Sequence, residues 1–110
     1  MPLLDSLMQL GALETTLVVA GARDDWLQKC CDALEAAPRF SVADVSEDEF
    51  QVRAKYRLPP VWGQLTVTLL PEGTDSTRIT ASVAVLPNLY TLIFAPQHRI
   101  LARFSRAIGQ

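Results

Sequence analysis

The sequence predicts an α+β domain in the order β-α-β-β-β-β-α. It would hold one antiparallel five-stranded sheet with two helices on one face. Three observations carry this. First, Leu65, Val67 and Leu69 alternate with Gln64, Thr66 and Thr68, and Ile79, Ala81, Val83 and Val85 alternate with Arg78, Thr80, Ser82 and Ala84. Period-2 alternation rich in β-branched residues, interrupted by Pro71, Gly73 and Asp75, marks two antiparallel strands and a hairpin loop. Second, residues 49–58 alternate just as cleanly: Phe50, Val52, Ala54, Tyr56 and Leu58 against Glu49, Gln51, Arg53, Lys55 and Arg57. Third, two further stretches carry apolar residues at helical spacing.

The chain opens on Leu3, Leu4, Leu7, Met8 and Leu10, close to helical spacing and consistent with a short N-terminal helix. Residues 1–13 are read as a separate apolar segment and residues 14–110 as a single α+β domain. Residues 14–20 (Glu-Thr-Thr-Leu-Val-Val-Ala) form the first strand, which Gly21 ends. Residues 22–37 form a helix. Asp24 and Asp25 sit in its first turn, where the helix dipole favours acids. Trp26, Leu27, Cys30, Cys31 and Leu34 make its apolar stripe, and Pro38 stops it. Residues 39–45 form the second strand, with Phe40 and Val42 on one face. Ser46-Glu47-Asp48 is a polar turn, and Pro59-Pro60 ends the third strand because proline cannot donate to a ladder. After the hairpin comes an apolar connector of Leu89, Tyr90, Leu92, Ile93 and Phe94. Pro96 then suits the first turn of a final helix, whose stripe is Ile100, Leu101, Phe104, Ala107 and Ile108. Arg99, Arg103 and Arg106 fall on its other side. A meander of the last four strands, with the first returning beside the last, gives the strand order 1-5-4-3-2. Both helices then cover the apolar face.

Composition narrows the class. The chain has 110 residues, 49% of them hydrophobic and 20% charged, which suits one globular domain with one core. A net charge of -2 does not nominate nucleic acid as a partner. The charge is unevenly spread, however. Residues 1–52 hold ten acids against Arg23, Lys29 and Arg39, while residues 53–110 hold seven bases against Glu72 and Asp75. Cys30 and Cys31 are adjacent, and a vicinal disulfide is strained, so both are expected as thiols in a reducing, cytoplasmic setting. No signal-peptide pattern is evident, because residues 1–13 lack a basic region and carry Asp5. No apolar run approaches the roughly 18 residues of a membrane span.

Trp62-Gly63 leads into Leu65-Thr66-Val67-Thr68, followed by Thr77-Arg78-Ile79-Thr80-Ala81-Ser82-Val83. With the element order, these stretches loosely resemble small bacterial proteins of the TATA-box-binding-protein-like fold and the reduced helix-grip proteins related to the START/Bet v1 class. The resemblance spans about residues 14–108 and is structural. It implies the fold, and ligands that range across such proteins from DNA to lipids. The chain lacks the extra strands of a full START/Bet v1 cavity, so the resemblance does not carry a large cavity over.

Chemistry is sparse. His98 is the single histidine and reads as a surface residue. No Gly-x-Ser-x-Gly elbow, metal-ligand spacing or phosphate loop is present, so neither an enzyme nor a cofactor is expected. Three candidate sites remain. An open sheet face would present Arg53, Lys55, Arg57, Gln64, Thr66, Thr68, Arg78, Thr80 and Ser82 to a partner's acids or to phosphate. Nucleic acid is disfavoured there, because no outward aromatic is expected for stacking. A small apolar pocket would lie among Trp26, Tyr56, Trp62, Tyr90 and Phe94. Self-association would use Leu3, Leu4, Leu7, Met8 and Leu10. The expected function is a non-enzymatic binding or assembly domain, a homo-oligomer or a module for a protein partner. The alternative is a carrier of a small apolar ligand between helices and sheet.

Overall fold

The computed structural model describes residues 13–86, 88, 94 and 96–109. Among these, the elements follow the predicted order: β1 (Leu13–Ala20), α1 (Arg23–Ala36), β2 (Phe40–Ser46), β3 (Gln51–Leu58), β4 (Val61–Pro71), β5 (Ser76–Val85) and α2 (Gln97–Ala107). The strands form one sheet in the order β1-β5-β4-β3-β2, with every neighbouring pair antiparallel. The expected N-terminal helix, with Leu3, Leu4, Leu7, Met8 and Leu10, lies outside the described residues, as does Tyr90.

Alternation fixes the faces. Val52, Ala54, Tyr56, Leu65, Val67, Leu69, Ile79, Ala81, Val83 and Val85 are all buried on one side of the sheet. Leu34 from α1 and Ile100 and Phe104 from α2 are fully buried against them. Gly63 sits on that side too. A Cβ there would meet the Ala84 carbonyl and Val85 Cγ1 at 3.3 Å and Ile100 Cδ1 at 3.5 Å. The missing side chain therefore lets α2 cross close to β4.

The β1–α1 turn is tied to the β4–β5 hairpin. Gly21, at φ 119°, donates its N–H to the Asp75 carbonyl at 2.7 Å. Its own carbonyl accepts from the Thr77 hydroxyl at 2.8 Å, which satisfies a polar side chain that is fully buried. Trp26 Nε1 donates to the Ala20 carbonyl at 2.8 Å in the same corner.

One strand boundary is corrected. The alternation predicts Phe50 as the first inward residue of the third strand. Instead that strand begins at Gln51, and Phe50 closes the preceding turn at φ 50°, although its side chain still packs against the core as expected. Reversing the chain into the Ser46–Gln51 pairing uses a left-handed residue at that point. There the Phe50 ring takes the Arg23 guanidinium 3.7 Å above its centroid. β2 also breaks its simple period: the register shifts between Val42 and Asp44, and a bulge of this kind is common on an edge strand.

Candidate functional site

A cleft that joins apolar walls to charge without an ion-pair partner among the described residues lies where α1 ends and α2 ends. Pro38 halts α1 beside the start of β2, so Ala33, Ala36 and Ala37 stand next to Phe40. Arg103, Arg106 and Ala107 of α2 face them. Together these residues line an open cleft of about 370 Å³. Phe40 is nearly buried, and Tyr56 backs it edge-on at 5.1 Å between ring centroids. The cleft is peripheral because Leu34, Leu65, Leu69, Ile100 and Phe104 fill the centre of the helix–sheet interface. Among the described residues its lining includes no carboxylate, histidine or cysteine. Arg103 and Arg106 are exposed. The ion pair found among the described residues joins Arg78 to Glu72 at 2.7 Å and lies elsewhere.

The strand register shows how charge is distributed along the molecule. At one end, where Ala20 pairs with Ser76, Pro71 with Thr77 and Ser46 with Gln51, lie Asp24, Asp25, Glu47, Asp48, Glu49, Glu72 and Asp75. At the other, where Phe40 pairs with Tyr56 and Arg57 with Trp62, lie Arg39, Arg57, Arg103 and Arg106. Interleaving cancels the uneven charge only in part: Arg23 and Arg78 stand among the acids, and Asp32 and Glu35 lie toward the C-terminal end of α1 near the cleft. The cleft sits at the basic end.

The opposite face of the sheet brings the nine open-face candidates together. Arg53 stands across from Thr66 and Thr66 from Ser82; Lys55 is across from Gln64, and Thr68 from Thr80. Gln51 Nε2 donates to Thr68 Oγ1 at 3.1 Å, and an Arg53 guanidinium nitrogen donates to Gln51 Oε1 at 3.2 Å. Arg78, between Leu70 and Val18, completes the face. Trp62 is here too, 41% exposed and directly across from Arg57. It borders a smaller cleft of about 230 Å³ with Lys55, Gln64, Ala84 and Leu86.

The aromatic set singled out from the sequence is therefore dispersed. Trp26 is buried in the corner by Ala20, Tyr56 lies behind Phe40, Trp62 is on the far face, and Phe94 is 53% exposed. Trp62 turns outward because residues 61, 63 and 65 take the inward positions of β4. The expectation that the open face carries no outward aromatic is corrected by the same fact. Of the predicted pocket residues that are described, Tyr56 adjoins the cleft between the helix ends, backing Phe40. The lining residues Ala33, Ala36, Ala37 and Pro38 gave only one hint in the sequence: small residues where a helix meets a proline.

The thiols are quiet. Both cysteines are free. Burial, then the neighbouring Cys31, pushes the Cys30 pKa up from 9.0 to about 12. Cys31 is raised as well, first by burial and then by Glu35 and Asp32. Neither thiol is thus primed as a nucleophile. His98 lies toward β1, in a groove with Leu13, Leu101 and Ser105, away from the cleft. Among the described residues no three His, Cys, Asp or Glu side chains gather as a metal site would need, and no helix is long and apolar enough to cross a membrane.

No protein-family model matches the chain, and no curated protein matches it. Solved structures do. A START superfamily protein from Mycobacterium smegmatis superposes with a TM-score of 0.62 at 13% identity, covering 88% of this chain and 93% of that one. Norcoclaurine synthase from Thalictrum flavum, in complex with dopamine and hydroxybenzaldehyde, gives 0.60 at 16% identity, covering 93% and 88%. The Zhui aromatase/cyclase from Streptomyces sp. R1128 gives 0.61 at 11% identity, covering 89% and 91%. At these identities the likeness is one of fold, and the fold of this chain is the START/Bet v1-like helix-grip fold.

Proposed function

We propose that the protein is a non-enzymatic carrier of a small apolar ligand, held in the cleft between the ends of α1 and α2. The observation that carries this reading is the cleft itself, with Ala33, Ala36, Ala37, Phe40 and Ala107 as apolar walls. It is supported by the similar fold of norcoclaurine synthase, a protein seen in complex with dopamine and hydroxybenzaldehyde. That protein and the aromatase/cyclase are enzymes by name. Among the described residues the lining of the cleft here holds no carboxylate, histidine or cysteine for proton transfer or attack, which favours binding without turnover. The free cysteines accord with a cytoplasmic setting. Native mass spectrometry on protein from its own host tests the reading. A co-purifying small molecule should appear as an added mass and vanish in Ala36→Trp, which fills the cleft from an exposed position. A clean dimer without any adduct would refute the carrier.

Self-association is the second reading, favoured by one observation. Trp62 and Leu86 at one end of the open face, and Val18 and Leu70 at the other, are each 41–58% exposed, and exposed apolar surface of this kind suits a partner. A role in it for Leu3, Leu4, Leu7, Met8 and Leu10 belongs to the same proposal.

A further inference from the structure

This inference rests on the carrier reading and names the class of ligand. We propose that the cleft takes a free amphiphile with an anionic head, a medium-chain carboxylate, whose head is held by Arg103 and Arg106. Three features support it. Arg103 and Arg106 are three residues apart on α2, so they are neighbours on one helix face and can hold one head group between them. Neither has an ion-pair partner among the described residues, whereas each borders a cleft otherwise walled by alanine, proline and phenylalanine. An uncharged polar ligand would bury its polar groups against walls that cannot satisfy them. An apolar body with one charged end matches both parts of the lining.

The setting adds a long-range term. Acidic residues crowd the far end of the molecule, and Arg39 and Arg57 lie with Arg103 and Arg106 at this one, where they outnumber the nearby Asp32 and Glu35 of α1. Such a distribution draws anions to the cleft and repels them from the opposite end, an effect that salt weakens. Size sets the chain length. At about 30 Å³ for each water-sized group, a volume of about 370 Å³ holds roughly a dozen heavy atoms, about the size of an eight- to ten-carbon acid. A carboxylate accepting from guanidinium groups should bind roughly tenfold to a hundredfold more tightly than the corresponding alcohol.

Isothermal titration of the full chain with octanoate and with 1-octanol tests this. Octanoate should bind at least about tenfold more tightly, and raising the salt should narrow the gap. The double variant Arg103→Gln/Arg106→Gln alters two exposed side chains. Its unfolding transition should match the wild type, its affinity for octanol should be kept, and its preference for octanoate should vanish. Equal affinities in the wild type would overturn the anionic class while leaving the carrier reading intact. So would a preference that persists in the double variant, because the head would then sit elsewhere. No binding of either compound, by wild type or Ala36→Trp, would overturn both readings. Vesicles with phosphatidylglycerol separate a free ligand from a membrane surface. Co-sedimentation that the double variant abolishes would show that the arginines serve a lipid surface, and would overturn the proposal.

Discussion

Exchanging Val67 for aspartate should largely unfold the protein, whereas the same change at Thr66 should be nearly silent. Val67 is fully buried, with Val52 and Ala81 as its cross-strand partners on the helix-covered side. Losing a buried valine removes about 1.5–3 kcal/mol of burial. An ionised carboxylate without a partner adds a desolvation cost of several kcal/mol. The total is about 5 kcal/mol or more, against a stability of roughly 0.05–0.15 kcal/mol per residue. Thr66 lies on the open face between Arg53 and Ser82. In Thr66→Asp the introduced carboxylate would stand across from Arg53, and that cross-strand pair would contribute about 0.2–1 kcal/mol. The poorer strand propensity of aspartate, up to ~1 kcal/mol, offsets it. Urea denaturation followed by far-ultraviolet circular dichroism should show a large drop in midpoint for Val67→Asp and almost none for Thr66→Asp. Because a one-residue slip exchanges the two faces, equal losses would refute the register of β4, and a reversed order would place the core on the other side.

The remaining expectations follow from single positions. Acrylamide should quench Trp62 readily and Trp26 poorly, since they are 41% and 6% exposed; if Trp62→Phe leaves the quenching unchanged, Trp62 does not face solvent. Iodoacetamide should modify Cys31 in the native protein well before Cys30, which is fully buried, and equal rates would contradict that burial. The raised Cys30 pKa also has a pH consequence. Below about pH 9 the thiol keeps its proton in both states. Between the unfolded value of 9.0 and the folded value of about 12 only the unfolded chain loses it. Stability should therefore fall as pH rises through that window, by at most about 1.4 kcal/mol per unit. Melts of Cys30→Ala should show a shallower decline, and an identical slope would remove Cys30 as its cause. Gly21→Ala should cost about 1–3 kcal/mol, because the backbone there is at φ 119° and the new Cβ would lie 3.0 Å from Trp26 Nε1; an unchanged melting temperature would show that this corner relaxes freely.

Where a residue's fate depends on its immediate neighbours, the sequence was a good guide. Period-2 alternation placed Val67 inside and Thr66 outside, and Leu34 and Phe104 followed from helical spacing. The strand order needed only the hairpins and one crossover. Trp62 is the instructive exception. Counting back from Leu65 by twos already points residue 62 outward, but its bulk suggested the core. Periodicity was the better witness, because on a two-sided strand the pleat determines direction before size does. Phe50 shows the limit of the pattern in another way: it faces the core as the alternation implies, yet the turn uses it as a left-handed residue, so the strand starts one residue later. The cleft was barely legible, hinted at only by small residues where a helix meets Pro38. Its walls come from residues 33–40 and 103–107, far apart in the chain, and no local pattern states that two helix ends will meet.

Charge shows how topology can turn a weak sequence signal into a spatial one. The acidic half of the chain supplies β1, α1 and β2, and although Glu14, Asp32, Glu35 and Asp44 lie within those elements, five of its acids gather at one end. Asp24 and Asp25 open α1, and Glu47, Asp48 and Glu49 occupy the β2–β3 turn. Glu72 and Asp75, from the basic half, lie in the β4–β5 loop. In an antiparallel meander alternate turns fall at the same end, so these separate acidic segments gather there. Arg39 and Arg57 sit at the other set of strand ends, and α2 adds Arg103 and Arg106 beside them. The resulting polarity along the strands is partial, because Arg23 and Arg78 lie at the acidic end and Asp32 and Glu35 lie near the C-terminal end of α1. It also has a direction with respect to the cleft. An anion approaching this protein is repelled from the turns rich in acids and drawn to the end where an apolar cleft meets the guanidinium groups of Arg103 and Arg106.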